Sequence, residues 1–164
     1  MVSNKYSFNG DIFTVKPCVI EDIPFHTERV LSYWANVDLD VYKKELSKSI
    51  IRGLALQVVN NKDEVQAFIY GINLDKESLR CVSLWFSNKR MLAIMFYYIR
   101  QTYNYTKMYF TPHQKNFIPF KFLLRPFSIK YYHSYNTPLE AHLYSEEGEN
   151  LYQDHFVRYG IKEV

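Results

Sequence analysis

Residues 79–103 join a strand that is apolar on both faces to a helix that is apolar round most of its girth. In the strand, Leu79, Cys81 and Trp85 fall on one face, and Val82, Leu84 and Phe86 on the other. A strand covered on both sides is central to its sheet. Asn88 is placed to cap the helix that follows, through about Tyr103. Met91, Ala93, Ile94, Phe96, Tyr97 and Ile99 leave it little polar surface, so it should lie deep. A chain built round this pair has to stack helices on a sheet.

The flanking segments fit that plan. Met1–Gly10 is polar and without period, an arm or edge segment. Asp11–Val19 reads as a strand. Glu21, Asp22 and Pro24 suit the first turn of a helix to about Trp34. Asp38 or Asp40 can cap a second helix through Arg52, which Gly53 stops. Leu54–Val59 and Val65–Ile72, joined by Asn60-Asn61-Lys62-Asp63, read as an antiparallel hairpin. Beyond Tyr103 come a short strand Thr106–Phe110 and a helix from about Gln114 to Leu124. Strands Phe127–Tyr135 and Leu139–Tyr144 then pair in a last hairpin. Glu149–Val164 is a tail with a short helix near Asn150–Tyr159. The expectation is a single α+β domain with a mixed central sheet flanked by helices. Residues 1–10 would be the N-terminal arm, 11–145 the domain and 146–164 the tail.

Composition narrows the function. Twenty basic against 17 acidic residues leave a formal +3, too mild to imply nucleic acid without a clustered stripe. Lys107-Met108-Tyr109-Phe110 and Lys130-Tyr131-Tyr132-His133 interleave cations with rings, but strand alternation explains both. No apolar run approaches the roughly 20 residues of a membrane-spanning helix. The N-terminus has no signal-peptide run. Cys18 and Cys81 are far apart and read as buried thiols in a reducing, cytoplasmic setting. His26, His113, His133, His142 and His155 are scattered, so no metal site is expected; His133 and His142 would face each other across the last hairpin. Fifteen Tyr, 12 Phe and 2 Trp make 18% of the chain aromatic. Part of that is the composition bias of an AT-rich genome. Part suits a contact surface, where a Tyr ring packs while its hydroxyl stays wet.

The order strand, helix, helix, hairpin, strand, helix, strand, helix, hairpin resembles the GNAT (Gcn5-related N-acetyltransferase) fold over about Asp11–Tyr144. Val19-Ile20-Glu21-Asp22 is similar to the family's acidic start to its first helix. Asn116 with the following helix and Phe127 is similar to its Asn–helix–Gly-Phe passage. The resemblance implies an acetyl-CoA pyrophosphate held on a glycine-rich turn after the central strand, where bare backbone N–H groups and a helix end meet phosphate. Here that turn is Ser87-Asn88-Lys89-Arg90-Met91-Leu92-Ala93, and no glycine occurs between Gly71 and Gly148. Lys89 and Arg90 could meet the phosphates by charge, with Asn116 near the pantetheine arm, if the cofactor binds.

The catalytic positions depart as well. Leu79–Phe86 carries no carboxylate, while Glu64, Asp75 and Glu77 lie at turns. The family's late Tyr acid has no counterpart in Phe122-Leu123-Leu124-Arg125-Pro126-Phe127. No catalytic residue and no cofactor is therefore expected. The sequence is similar to degenerate GNAT-like proteins of bacteriophages, including non-catalytic virion proteins. That implies a scaffold acting on other protein chains in a phage or host assembly, in host cytoplasm or the virion. Exposed rings would carry the contact: Tyr131, Tyr132, Tyr135 and Tyr144 of the last hairpin, and Tyr152, Phe156 and Tyr159 of the tail. The plainer alternative for the tail is packing back on its own domain. The alternative function is an N-acetyltransferase moving acetyl from acetyl-CoA to an amine.

Overall fold

The computed structural model describes residues 3–32, 38–110, 128–131, 139–143, 147–149 and 151–164, with backbone alone for 128–131, 139–140, 152 and 155. Strands β1 (Lys5–Phe8), β2 (Asp11–Pro17), β3 (Gly53–Val59), β4 (Val65–Asn73) and β5 (Ser78–Phe86) follow one another as antiparallel neighbours. Helices α1 (Ile23–Leu31) and α2 (Leu39–Arg52) interrupt the run between β2 and β3. Helix α3 (Lys89–Thr102) then carries the chain from β5 to a parallel partner, β6 (Lys107–Phe110). β7 (Ser128–Tyr131), β8 (Leu139–His142), α4 (Leu151–Tyr159) and β9 (Lys162–Glu163) complete the order. The nine strands among the described residues form one sheet in the order β7-β8-β6-β5-β4-β3-β2-β1-β9. β5 is interior and α3 is almost wholly buried, as their double-sided apolar patterns require.

Each local signal has a visible cause. Asp38 Oδ1 accepts from the N–H groups of Asp40 and Val41 and starts α2. Asn60 Oδ1 takes the N–H groups of Lys62 and Glu64 and closes the β3–β4 turn. Gly53 ends α2 and opens β3, and a Cβ there would stand 2.0 Å from the Gly71 carbonyl oxygen. Only glycine lets these two backbones approach so closely.

The ends of the sheet differ from the arm-and-tail expectation. Lys5–Phe8 is a full strand, because Asn9 (φ 51°) and Gly10 (φ 81°) make a two-residue turn into β2. Beyond it, β9 pairs with β1, and the Val164 N–H donates to the Lys5 carbonyl at 3.0 Å. Helix α4 lies beside α3, with Phe156 and Ile161 each only 5% exposed.

Two side-chain assignments are corrected by register. An extra residue at Val82 shifts the β4–β5 pairing from Gly71↔Cys81 to Tyr70↔Ser83. The bulge reverses the alternation, so Leu84 and Phe86 join Leu79 and Cys81 on the α3 side. Val82 and Trp85 pack on the α1–α2 side. In the last hairpin His142 stands opposite Ser128, not His133, which lies outside the described residues. No helix among the described residues is long and apolar enough to cross a membrane.

Candidate functional site

The β5–α3 turn is the place where an anion could meet a helix start, and the chain fills it with its own side chain. Asn88 is extended (φ −160°), and its Oδ1 accepts from Arg90 N at 3.0 Å and Met91 N at 3.2 Å. Those are two of the donors a helix otherwise offers to a ligand. Lys89 is exposed on the first turn. Arg90 turns away: its Nε donates to the Tyr159 carbonyl at 3.4 Å and its guanidinium lies 4.0 Å from the Phe8 ring centre. The tail thus takes the cation that the sequence reading assigned to phosphate. Asn116, the third residue of that reading, lies outside the described residues.

Beside this turn, among the described residues, the pairing of β5 with β6 is short. β6 pairs with β5 only from Ser78↔Lys107 to Arg80↔Tyr109, while β5 continues to Phe86. The bulge at Val82 begins where that pairing stops. Among the described residues no strand pairs with Val82–Phe86 on the β6 side. On the α1–α2 side of β5, Ser83 Oγ and Tyr42 Oη lie 2.6 Å apart, and burial pushes the Tyr42 hydroxyl up to about 12. No carboxylate stands on β5.

The fold recurs in solved structures. An uncharacterized protein from Bacillus halodurans superposes with a TM-score of 0.62 at 12% identity, over 92% of this chain and 93% of that one. An acetyltransferase of the GNAT family from Staphylococcus aureus Mu50 does so at 0.61 and 12% identity, over 79% and 98%. The fold is that of the GNAT superfamily. The PaiA N-acetyltransferase from Thermoplasma acidophilum, solved in complex with coenzyme A, matches at 0.56 and 14% identity, over 79% and 98%. No protein-family model and no curated protein matches the sequence.

On the other side of this GNAT sheet lies a buried polar chain that the sequence reading missed. Gln57 Nε2 donates to Asp22 Oδ2 at 3.0 Å, which leaves Gln57 Oε1 to accept from His26 Nε2–H at 3.2 Å. His26 Nδ1 then accepts the Tyr70 hydroxyl proton at 2.5 Å, and Cys18 bonds to Tyr70. His26 and Tyr70 are fully buried and Gln57 is 3% exposed. Burial lowers the His26 pKa, raises that of Tyr70 and pushes the Cys18 thiol up to about 12. All four uncharged groups therefore stay neutral near pH 7 and carry the bonds from Cys18 towards the Asp22 carboxylate. Buried from Cys18 to Gln57 and half-buried at Asp22, the chain fixes α1 to the sheet. No local pattern could reveal it, because His26 meets partners 44 and 31 residues away.

Of the rings proposed for an interface, only Phe156 and Tyr159 have described side chains. Phe156 is not exposed: it packs 4.2 Å from Tyr97 and 5.4 Å from Tyr6, ring centre to centre. Tyr159 is half-buried. Tyr131 sits on β7, at one edge of the sheet, and Tyr152 on α4, both described by backbone alone. Tyr132, Tyr135 and Tyr144 lie outside the described residues. Exposed instead are Val19, Ile20, Phe25, Leu31, Leu39 and Val41, on and around α1 and the start of α2. Arg29 stacks there between Phe25 (5.5 Å) and Trp85 (5.1 Å). No group of three or more His, Cys, Asp or Glu among the described residues could hold a metal.

Proposed function

We propose that this GNAT-fold chain transfers no acetyl group and works as a scaffold through contacts with other protein chains. The carrying observation is the Asn88 cap, which takes two α3 N–H groups that a pyrophosphate would need. The glycine-free turn, the diversion of Arg90 to Tyr159 and Phe8, and the lack of a carboxylate on β5 support the same reading. The exposed apolar and Arg–Trp surface of α1 gives such a scaffold something to bind with. The setting of the proposal is a phage or host assembly.

The second reading is an N-acetyltransferase with an altered phosphate turn. The exposed Lys89 at the start of α3 favours it, since a cation there can meet a phosphate. A transfer assay separates the two. The protein is incubated with acetyl-CoA and a panel of primary amines, and free thiol is read. The scaffold reading expects release no faster than the protein-free control. Amine-dependent release above that control, weakened in Lys89→Gln, supports the enzyme.

A further inference from the structure

Helix α2 keeps its apolar face for the sheet and turns a row of cations outwards. Tyr42, Leu46 and Ile50 pack inwards, over β3, β4 and β5. Lys44, Lys48 and Arg52 stand four residues apart on the other side, Lys43 flanks them, and all four are exposed. Arg80 of β5 comes up beside the row, where Glu45 meets it at 3.4 Å and Lys48 at 3.3 Å. Asp40 and Glu45 are the only acids on α2. This face carries five of the chain's 20 basic residues and two of its 17 acidic ones, which leaves 15 of each elsewhere. The formal +3 of the whole chain is thus the excess of α2 and its neighbour Arg80. Nothing in the fold calls for the row. Like charges at i, i+4 oppose a helix. The helix dipole favours Arg52, in the last turn, but not Lys43 or Lys44. Lys43, Lys44 and Arg52 make no ion pair among the described residues. Beyond the described side chains the chain holds only two more acids, Glu140 and Glu146, fewer than these three cations.

We infer that this face binds the sugar-phosphate backbone of a nucleic-acid duplex, without reading its sequence. Four residues of helix rise about 6 Å, so the row sets three cations at even steps. A duplex strand presents a phosphate about every 3.4 Å along its axis, and every second one falls close to that step. Contacts of this kind position a protein and carry no sequence information. The row lacks what the other anionic partners ask for. A helix lying on a bilayer needs an apolar face to bury, and α2 spends its own on the sheet. Between Lys44 and Arg52 only Ile51, 73% exposed, offers an apolar contact to solvent. An unpaired base needs a ring to stack on, and Tyr42, the one ring of α2, is half-buried and bonded to Ser83. The inference is independent of the scaffold reading, which concerns protein partners.

The probe is a fluorescent DNA duplex of about 20 base pairs, titrated with the intact chain and read by anisotropy. At about 50 mM salt the dissociation constant should be micromolar, and it should weaken about a hundredfold by about 200 mM, as about four phosphate contacts require. Lys44→Gln alone should reduce the slope of log affinity against log salt by about one. Lys44→Gln, Lys48→Gln and Arg52→Gln together should reduce it by about three and weaken binding at least about tenfold. The melting temperature of that triple variant should not fall, since the row repels itself. A control variant removes three exposed cations elsewhere, Lys5→Gln, Lys62→Gln and Lys162→Gln, and should keep the wild-type slope. No saturable binding at about 50 mM salt, or an equal loss of slope in the two triple variants, overturns the inference. So does displacement of the duplex by polyglutamate at equal charge, which would assign the row to an acidic protein. Tighter binding to phosphatidylserine vesicles than to the duplex overturns it in favour of lipid.

Discussion

The Arg90 guanidinium stacks 4.0 Å from the centre of the Phe8 ring. That contact ties the start of α3 to the N-terminal hairpin, and the Tyr159 carbonyl on the same side chain ties both to α4. Three segments far apart in sequence meet at one cation, at the start of α3.

The tail is accordingly part of the core. Phe156 and Ile161 are buried, Tyr97 bonds to Glu163, and Ser3 Oγ donates to the Val164 carbonyl at 2.7 Å. Removing residues 149–164 should lower the melting temperature by about 10 °C, from the loss of two buried apolar side chains and a strand. Phe156→Ala alone should cost about 3 kcal/mol. An unchanged melting temperature in calorimetry would restore the tail as a free contact arm.

Gly53 should tolerate no substitution. The Cβ of Gly53→Ala would overlap the Gly71 carbonyl at 2.0 Å, backbone against backbone, so a loss of about 4 kcal/mol or more is expected. Gly10→Ala is the control: nothing lies within 4 Å of its Cβ, and only the positive φ of 81° is strained. It should cost about 1–2 kcal/mol. Urea titration of both variants reads the difference, and equal losses would contradict the close approach.

His26 gives the stability a pH dependence of definite sign. Its folded pKa is lowered by burial, so the unfolded chain binds the extra proton first. The contribution is complete above the unfolded value of about 6.5 and is lost as pH falls from there towards the folded value. Urea unfolding between about pH 7.5 and 5 should show wild type losing stability faster than His26→Gln. Parallel curves would mean that His26 is not held neutral.

What could be read from residues alone was whatever depends on neighbours in sequence. The Asn88 cap, the Gly53 stop, the β3–β4 hairpin and the interior place of β5 all follow from local chemistry. The Asn9-Gly10 turn was equally legible, but the polar residues around it masked the strand they join. The Val82 bulge was not legible, since alternation assumes that no residue is inserted. The apolar residues of α4 signalled a contact without saying that their partners were Tyr6 and Tyr97 of the same chain. The His26 chain needed three elements to be brought together.

Asn88 caps the start of α3 with its own side chain. Asn88→Ala should cost about 1 kcal/mol of stability, and Asn88→Gly less, because the freed N–H groups turn to water. A gain in inorganic phosphate affinity in Asn88→Gly over wild type would show that the cap was the obstacle. No gain would place the obstacle elsewhere in the turn.

The most direct measurement is a calorimetric titration of the intact chain with acetyl-CoA. The account predicts no saturable heat at ligand concentrations approaching about 1 mM, that is, binding weaker than about −4 kcal/mol. A micromolar dissociation constant, about −8 kcal/mol, that weakens in Lys89→Gln and with added salt would contradict it.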